Sequence, residues 1–542
     1  MVFALLAGIA VGSITGGGPR EAVDRPADVP VAAAITSESE AAIRGFCSDC
    51  HALPRPASFP KESWYKEVRQ GYDLYRATGR SDLVKPVEQD AIRFFAASAP
   101  ERLVVERAAD REEPPSPVRF EADPLPEELL RKGPALAQVL CAEGGGVLTT
   151  DMRHGEVARW RRGPDGWSTD VLARVDHPCR LTVQRRAAAD AESGSPAEAR
   201  SAYLLADLGS FLPEDHDRGG VFAVSGESGD EPRRLVAGLS RVVEAIANDF
   251  DGDGRDDLLV AEFGWLSTGG LRLLLSGGER VRVRGPAGLT PAAARAAQAV
   301  ARPAVAEGYL EQVLDARHGA LGVRLADLDG DGRDDVVTAF AQEHETIDVW
   351  WNRSGGLEHE CVLTLPDPSY GSSSFDVADL DGDGRLDIVH ANGDTMDSGL
   401  AKPYHAIRRL LNRGAAGFEV EEVACMVGVC QVSAADVDLD GDQDIVASSL
   451  HPACDRAPAG TFDSLVWLEQ VPGGGYRRHV IERDRCEHAA FAVTDVDGDG
   501  RPDIVAGCWR ADDDDEDARP SLFVYVNRST RATPASGAVT GR

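Results

Sequence analysis

The sequence predicts a mostly β fold, a seven-bladed β-propeller preceded by a small all-α segment. Three observations carry this expectation. A nine-residue acidic loop occurs five times, successive loops begin 78, 52, 57 and 59 residues apart, and each runs directly into a short apolar strand. A period in the fifties suits four antiparallel strands per repeat, which is the size of a propeller blade. From about residue 135 to residue 528, roughly 390 residues at that period make seven blades.

The chain begins with an apolar run at residues 2–11, followed by small, polar residues broken by Pro and Gly. Residues 1–37 therefore read as a signal-like or anchoring segment and a tether, too short to span a bilayer but able to act as a membrane tether. Residues 38–100 carry apolar positions at three-to-four spacing and read as two or three short helices. Residues 101–134 are charged and Pro-rich, the composition of a linker. Residues 135–528 are β-branched runs, Gly-rich turns and Asp loops, with an Ala-rich insert at 290–300 that explains the spacing of 78. Upstream, residues 201–209 form the strand that should follow a loop, but the segment before them has lost the acidic spacing, so that blade is read as metal-free. Residues 529–542 read as a tail.

Each loop places carboxylates at positions 1, 3, 5 and 9. The sets are Asp249, Asp251, Asp253, Asp257; Asp327, Asp329, Asp331, Asp335; Asp379, Asp381, Asp383, Asp387; Asp436, Asp438, Asp440, Asp444; and Asp495, Asp497, Asp499, Asp503. Oxygen-only ligands around a Gly-containing turn suit calcium, with up to five ions. The alternative is a set of Asp-Gly turns that cap strands. Four carboxylates in nine residues repel one another without a cation, which favours the metal. The ions would be structural, and chelation should lower the melting temperature. A formal net charge of −33, from 57 basic and 90 acidic residues, argues against nucleic acid as a partner.

Cys47-Ser-Asp-Cys50-His51 has the spacing of covalent c-type haem attachment, with two thiols for thioether bonds and His51 as the proximal iron ligand. A zinc site would need four ligands, and residues 38–110 contain no further Cys or His. A redox dithiol would expect a βαβ setting rather than helices. The four methionines all lie outside the helical segment. The iron would thus be five-coordinate, or ligated weakly by Tyr72 or by a propeller residue. Among the other cysteines, Cys425 with Cys430 and Cys454 with Cys486 are possible disulfide partners.

The strands that follow the loops should end together on the opposite rim. There Asp207, Glu262 with Trp265, His344 with Glu345, Asn392 with Asp394, His451 and Trp509 form a candidate site, with His405 and His488 as possible additions. Ordinary polar loop tips are the alternative. No catalytic residue is assigned beyond this rim.

The five loops with their apolar strands resemble the FG-GAP or VCBS repeat of integrin-like propellers. Ala206-Asp-Leu-Gly-Ser-Phe-Leu-Pro-Glu-Asp-His-Asp-Arg-Gly219, Glu262-Phe-Gly-Trp265, Gln342-Glu-His-Glu-Thr346, Asn392-Gly-Asp-Thr395 and Lys402-Pro-Tyr-His405 resemble a bacterial family, common in planctomycetes, that joins a haem-binding segment to such a propeller. The resemblance implies a cytochrome c-like segment on a calcium-stabilised FG-GAP/VCBS propeller. The functional expectation is an exported, extracytoplasmic protein of the periplasm or cell surface that transfers electrons to or from a redox partner protein docked on the propeller. If it is an enzyme, it would be a haem-dependent oxidoreductase. The alternative is an adhesion or carbohydrate-binding propeller, with an extracellular ligand or glycan as partner and an accessory or sensory haem.

Overall fold

The structure, a computed structural model, describes residues 35–142, 145–184, 201–277, 280–284, 308–396, 398–452, 454–510 and 518–529. The apolar run at 2–11, most of the tether, the Ala-rich insert and most of the tail lie outside the described residues. Three helices come first: α1 (Ser37–Cys47), α2 (Trp64–Ala77) and α3 (Glu88–Ala96). Among the described residues no helix is long and apolar enough to cross a membrane.

Thr36 caps α1 by accepting from the Ser39 N–H at 3.1 Å. On α2 the buried residues are Trp64, Val68, Tyr72 and Tyr75, one face at helical spacing. Trp64, Val68 and Tyr72 pack with Ile43, Phe59, Ala91, Ile92 and Phe95 into a core of their own. Trp64 stacks on Phe95 with centroids 4.3 Å apart, and Phe46 sits between Tyr72 and Tyr75 at 5.1 and 5.0 Å.

Seven blades of four antiparallel strands follow, blade four carrying in addition a two-residue strand, Val283–Arg284, parallel to its outermost strand. Blades one to six span 136–174, 178–239, 242–315, 320–364, 372–425 and 429–483. The seventh joins His488–Thr494, Asp503–Cys508 and Leu522–Asn527 to Phe120–Asp123, which pairs as its outermost strand with Phe120 opposite Asn527. The ring is thus closed by strands from both ends of the propeller. Second strands such as Asp257–Glu262 and Asp387–Asn392 are buried throughout, because neighbouring blades cover both faces; outermost strands such as Gly356–Thr364 are mostly half-buried or exposed. The extra length of blade three falls before its outermost strand, Leu310–Asp315.

The Pro-rich segment expected as a linker is bound to the propeller over much of its length. Ala108 and Ala109 donate their N–H groups to the carbonyls of Thr461 and Gly460 at 3.1 and 2.9 Å, and Arg111 pairs with the buried Asp463 at 3.1 Å. Residues 120–123 close blade seven, and Arg131–Lys132 pair with Ala518–Arg519. Charge and Pro are compatible with these positions because the edge of a blade faces solvent. The suggested Cys425–Cys430 bridge is absent: the exposed Cys425 thiol lies 3.3 Å from Glu422, whereas Cys430 is buried in the innermost strand of blade six. Cys454 and Cys486 pack in one small cluster with Phe462.

Candidate functional site

Every Asp loop joins the innermost strand of its blade to the second strand, so all five lie on one face of the ring in blades three to seven. Position 4 needs a left-handed backbone, supplied by Gly252, Gly330, Gly382 and Gly498 at φ 72 to 78° and, in blade six, by Leu439 at φ 63°. The carboxylate at position 9 is buried and fully engaged. Asp387, for example, accepts from Leu380 N at 2.9 Å and from Asn412 N at 2.7 Å, which ties the loop to the third strand. The same Asn donates its side-chain amide to Leu328 O in the loop of blade four at 2.8 Å, joining neighbouring blades.

The carboxylates of positions 1, 3 and 9 bring oxygens within 4.8 Å of one another in all five loops, a set that could hold a cation. Position 5 does not join them. Asp253 pairs with Arg255 at 2.6 Å, and Asp331, Asp383 and Asp499 pair in the same way with Arg333, Arg385 and Arg501. The reason is local: in blades four, five and seven the position-7 arginine is fixed by its Nε–H, donated to the carbonyl of Asn352, Asn412 or Asn527 at 2.6 to 2.9 Å, and position 5 lies beside it. Asp440 has no such partner because position 7 of its loop is Asp442. Burial, reinforced by the neighbouring carboxylates, pushes Asp257, Asp335, Asp387 and Asp503 up to about 6 and Asp444 to about 7.

On the opposite face the helical unit is seated against the rim of blades three to five. Asp367, fully buried, accepts from Ser58 Oγ at 2.9 Å and from Arg55 N at 3.3 Å, while Tyr404 donates its hydroxyl to Ser58 O at 2.8 Å. Leu400 packs into the helical core, and the Lys402 ammonium lies 5.6 Å from the centre of the Phe59 ring.

Between the two units lies a cavity of ≈ 340 Å³, within the usual range of ligand sites. Cys47, Cys50 and His51 line one side of it; Trp265, Gln342, Glu343, Glu345, Asp394 and Lys402 line the propeller side. One face of α2, carrying Glu67, Gln70, Gly71, Leu74 and Thr78, completes the wall. Gly71 stands in the helix interior, where glycine costs about 1 kcal/mol relative to alanine, and a Cβ there would have nothing within 4 Å.

His51 donates its Nδ1–H to Ala52 O at 2.8 Å, which leaves Nε2 as the atom with a free lone pair. Arg80 holds the Cys-x-x-Cys turn, pairing with Asp49 at 2.6 Å and reaching Cys50 Sγ at 3.1 Å. Burial pushes the Cys47 thiol up to about 11 and raises Cys50 as well, the opposite of an activated redox dithiol. None of the acidic sets able to hold a metal among the described residues includes these three side chains. Tyr72 is unsuited as an iron ligand: its hydroxyl donates to Pro86 O at 2.9 Å, and burial pushes the phenol further up.

The expected rim site divides. Glu345, Asp394 and Trp265 line the cavity. Glu345 is 1 % exposed and Oε2 accepts from Ser372 N, but Oε1 has no partner. Burial raises the carboxyl of Glu345 well above the ordinary range and that of Asp394 above its usual value. The remaining positions are absorbed by the propeller. Asp207 accepts from His177 N and Gly209 N at 2.9 and 3.2 Å; Glu262 accepts from Ser240 N at 2.7 Å and pairs with Arg272; Asn392 donates to Tyr370 O at 2.9 Å.

His344 packs 5.2 Å from His318 and is held down to about 3 by burial, and His451 is buried against Phe462 at 4.8 Å. His405 accepts from Gly428 N at 3.1 Å, His488 pairs with Glu482 at 2.6 Å, and Trp509 is core. Sequence reasoning missed Lys402, Glu67, Gln342 and Glu343. Gln342, Glu343 and Lys402 stood in the phrases that carry the family resemblance without being read as site residues, and the strain at Gln342, with φ of 61°, is invisible before the backbone is known.

Residues 327–390, from the loop of blade four to the second strand of blade five, match the model of a family described as an FG-GAP-like repeat. A curated relative is integrin alpha pat-2 of Caenorhabditis elegans, 24% identical over 225 residues; the match covers 36% of this chain and 18% of the integrin chain. The matched stretch holds two of the five equivalent Asp loops, and the chain is accordingly a seven-bladed β-propeller built on FG-GAP-like repeats.

Proposed function

We propose that the cavity between the helical unit and the propeller holds a covalent c-type haem, that the five Asp loops bind calcium, and that the protein works outside the cytoplasm as an electron carrier. One observation carries the haem reading: the two thiols and His51 open together into a cavity that the propeller itself closes. The residues fit the group. Cys47 and Cys50 would carry the thioethers, His51 presents Nε2 with its ring fixed from behind, Gly71 leaves room for a flat ligand, and Phe46, Trp64 and Trp265 supply apolar walls. A bound haem supplies one-electron exchange. The chain's own residues bury it, orient His51 and limit water. Among the described lining residues there is neither Met nor a second His, so His51 would be the one strong ligand from this lining, and a bound haem would have a low potential.

For calcium, the fit rests on oxygen-only donors and on Asp251 Oδ2, Asp381 Oδ1 and Asp497 Oδ1, buried atoms at position 3 that lack a partner. Covalent haem attachment, millimolar calcium and the likeness to an integrin α chain together favour an extracellular or surface location. That likeness also favours a second reading, an adhesion-type propeller with an accessory haem.

An absorption spectrum of the reduced protein in alkaline pyridine tests the first reading. A c-type α band that survives denaturation and is lost in a Cys47→Ala, Cys50→Ala variant is expected. Absence of the band refutes it.

A further inference from the structure

The five Asp loops share a spacing but differ in the arginines that reach them. In blades four, five and seven the third strand ends in Asn-Arg, and the arginine turns back onto position 3 of its own loop. Arg413 lies 2.6 Å from Asp381, Arg528 lies 2.6 Å from Asp497, and Arg353 lies 3.6 Å from Asp329. The same three loops carry the position-7 arginine on position 5. Two guanidinium groups therefore attend each of these acidic sets.

Blade three has one. Its third strand ends at Leu275 and continues as Ser276-Gly277, so among the described residues Arg255 alone attends the loop, paired with Asp253 at 2.6 Å. Blade six has none. Its third strand ends at Val471, position 7 is Asp442, and among the described residues none of Asp436, Asp438, Asp440, Asp442 and Asp444 is paired with an arginine or lysine. Asp442 Oδ1 is buried without a partner.

A guanidinium within about 4 Å of a carboxylate lowers the field available to a divalent ion, and it must move or be repelled when the ion enters. Five carboxylates without an internal cation do the reverse: they repel one another until an ion arrives.

We propose that these arginines grade calcium binding, with the loop of blade six as the tight site, blade three intermediate, and blades four, five and seven weak. The propeller then keeps one ion at low calcium and fills the arginine-attended loops only as calcium rises. The proposal rests on the calcium reading above and assigns Arg353, Arg413 and Arg528 a role in setting the affinity of their own loops.

The test is a calorimetric calcium titration of the calcium-stripped full chain. A tight step followed by weaker ones is expected. Arg413→Gln, a partly exposed position, should tighten one weak step by about three- to tenfold. Asp442→Arg, which restores the pattern of the other four loops, should remove the tight step and leave the weak ones. The proposal is overturned if Arg413→Gln leaves its step unchanged or weaker, if Asp442→Arg spares the tight step, or if all steps are equal. Absence of any calcium binding overturns the calcium reading itself.

Discussion

Replacing Asp367 by alanine tests how the helical unit is held. Its side chain accepts four hydrogen bonds: from Ser58 Oγ at 2.9 Å, Arg55 N at 3.3 Å, Ser369 N at 3.0 Å and Ser369 Oγ. Ser58 is 3 % exposed and Asp367 is 0 % exposed, so the stranded Ser58 hydroxyl of Asp367→Ala does not reach bulk water, whereas Arg55 is exposed and its N–H is partly rehydrated. An unsatisfied buried donor costs about 1–3 kcal/mol. Losing the two that cross between the units should weaken docking by about 2–4 kcal/mol, after some relief from water entering the adjacent cavity. The assay is native-state hydrogen exchange. Amides of α1 and α2 should lose protection by about a factor of 30 to 1,000, whereas the second strands of blades four to six should keep theirs. Asp367→Asn, which retains one acceptor oxygen, should lose less. Equal loss across both units, or none, would refute the clasp.

Further outcomes follow from the same contacts. Because the position-9 carboxylates have folded values raised to about 6, and about 7 for Asp444, against 3.8 unfolded, the calcium-free protein binds more protons when folded. The stability from this source is present below 3.8 and lost as pH rises through about 6. The gap in Tm between calcium-loaded and EDTA-treated protein should therefore widen from pH 4 to pH 7, and a gap independent of pH would count against it. Asp123 ties the closing strand to blade one, accepting from Arg162 at 2.7 Å and Trp167 Nε1 at 3.0 Å; Asp123→Ala should lower Tm by a few degrees, from a loss of about 1–3 kcal/mol. Leu439 is 47% exposed at φ 63°, so Leu439→Gly should relieve strain and gain up to about 1 kcal/mol in denaturant unfolding.

The propeller was legible because its signal repeats. Five Asp loops followed by apolar strands fix blade size, the number of blades and the face on which the loops lie, and the strand after each loop had to end on the other rim. What stood on that rim was not legible. Glu262 and Glu345 both read as rim acids at or after the end of a second strand, yet Glu262 is paired with Arg272 inside blade three while Glu345 keeps an oxygen free in the cavity. That difference depends on which side chains cross between strands. The arginine partner of position 5 was not legible either, because Asp383 meets Arg385 only when the third strand supplies the Asn412 carbonyl that fixes the arginine. The linker reading failed because Pro and charge describe a solvent-facing edge as well as a free chain. The docking of the helices rests on Ser58 and Asp367, 309 residues apart, a pairing that no local pattern announces.

If one redox site is built from both units, as proposed, Lys402 reports on it most directly. Its ammonium is buried on the propeller side of the cavity, held by Ser369 O at 2.8 Å and Asp394 O at 3.3 Å. A cation beside a bound haem would disfavour the oxidised iron. Potentiometric titration of the haem-loaded Lys402→Leu variant, which removes the cation without adding a ligand for the iron, should give a lower midpoint potential than the unaltered protein and a shifted Soret band. An identical potential and spectrum, with the helical unit still docked by hydrogen exchange, would contradict the account.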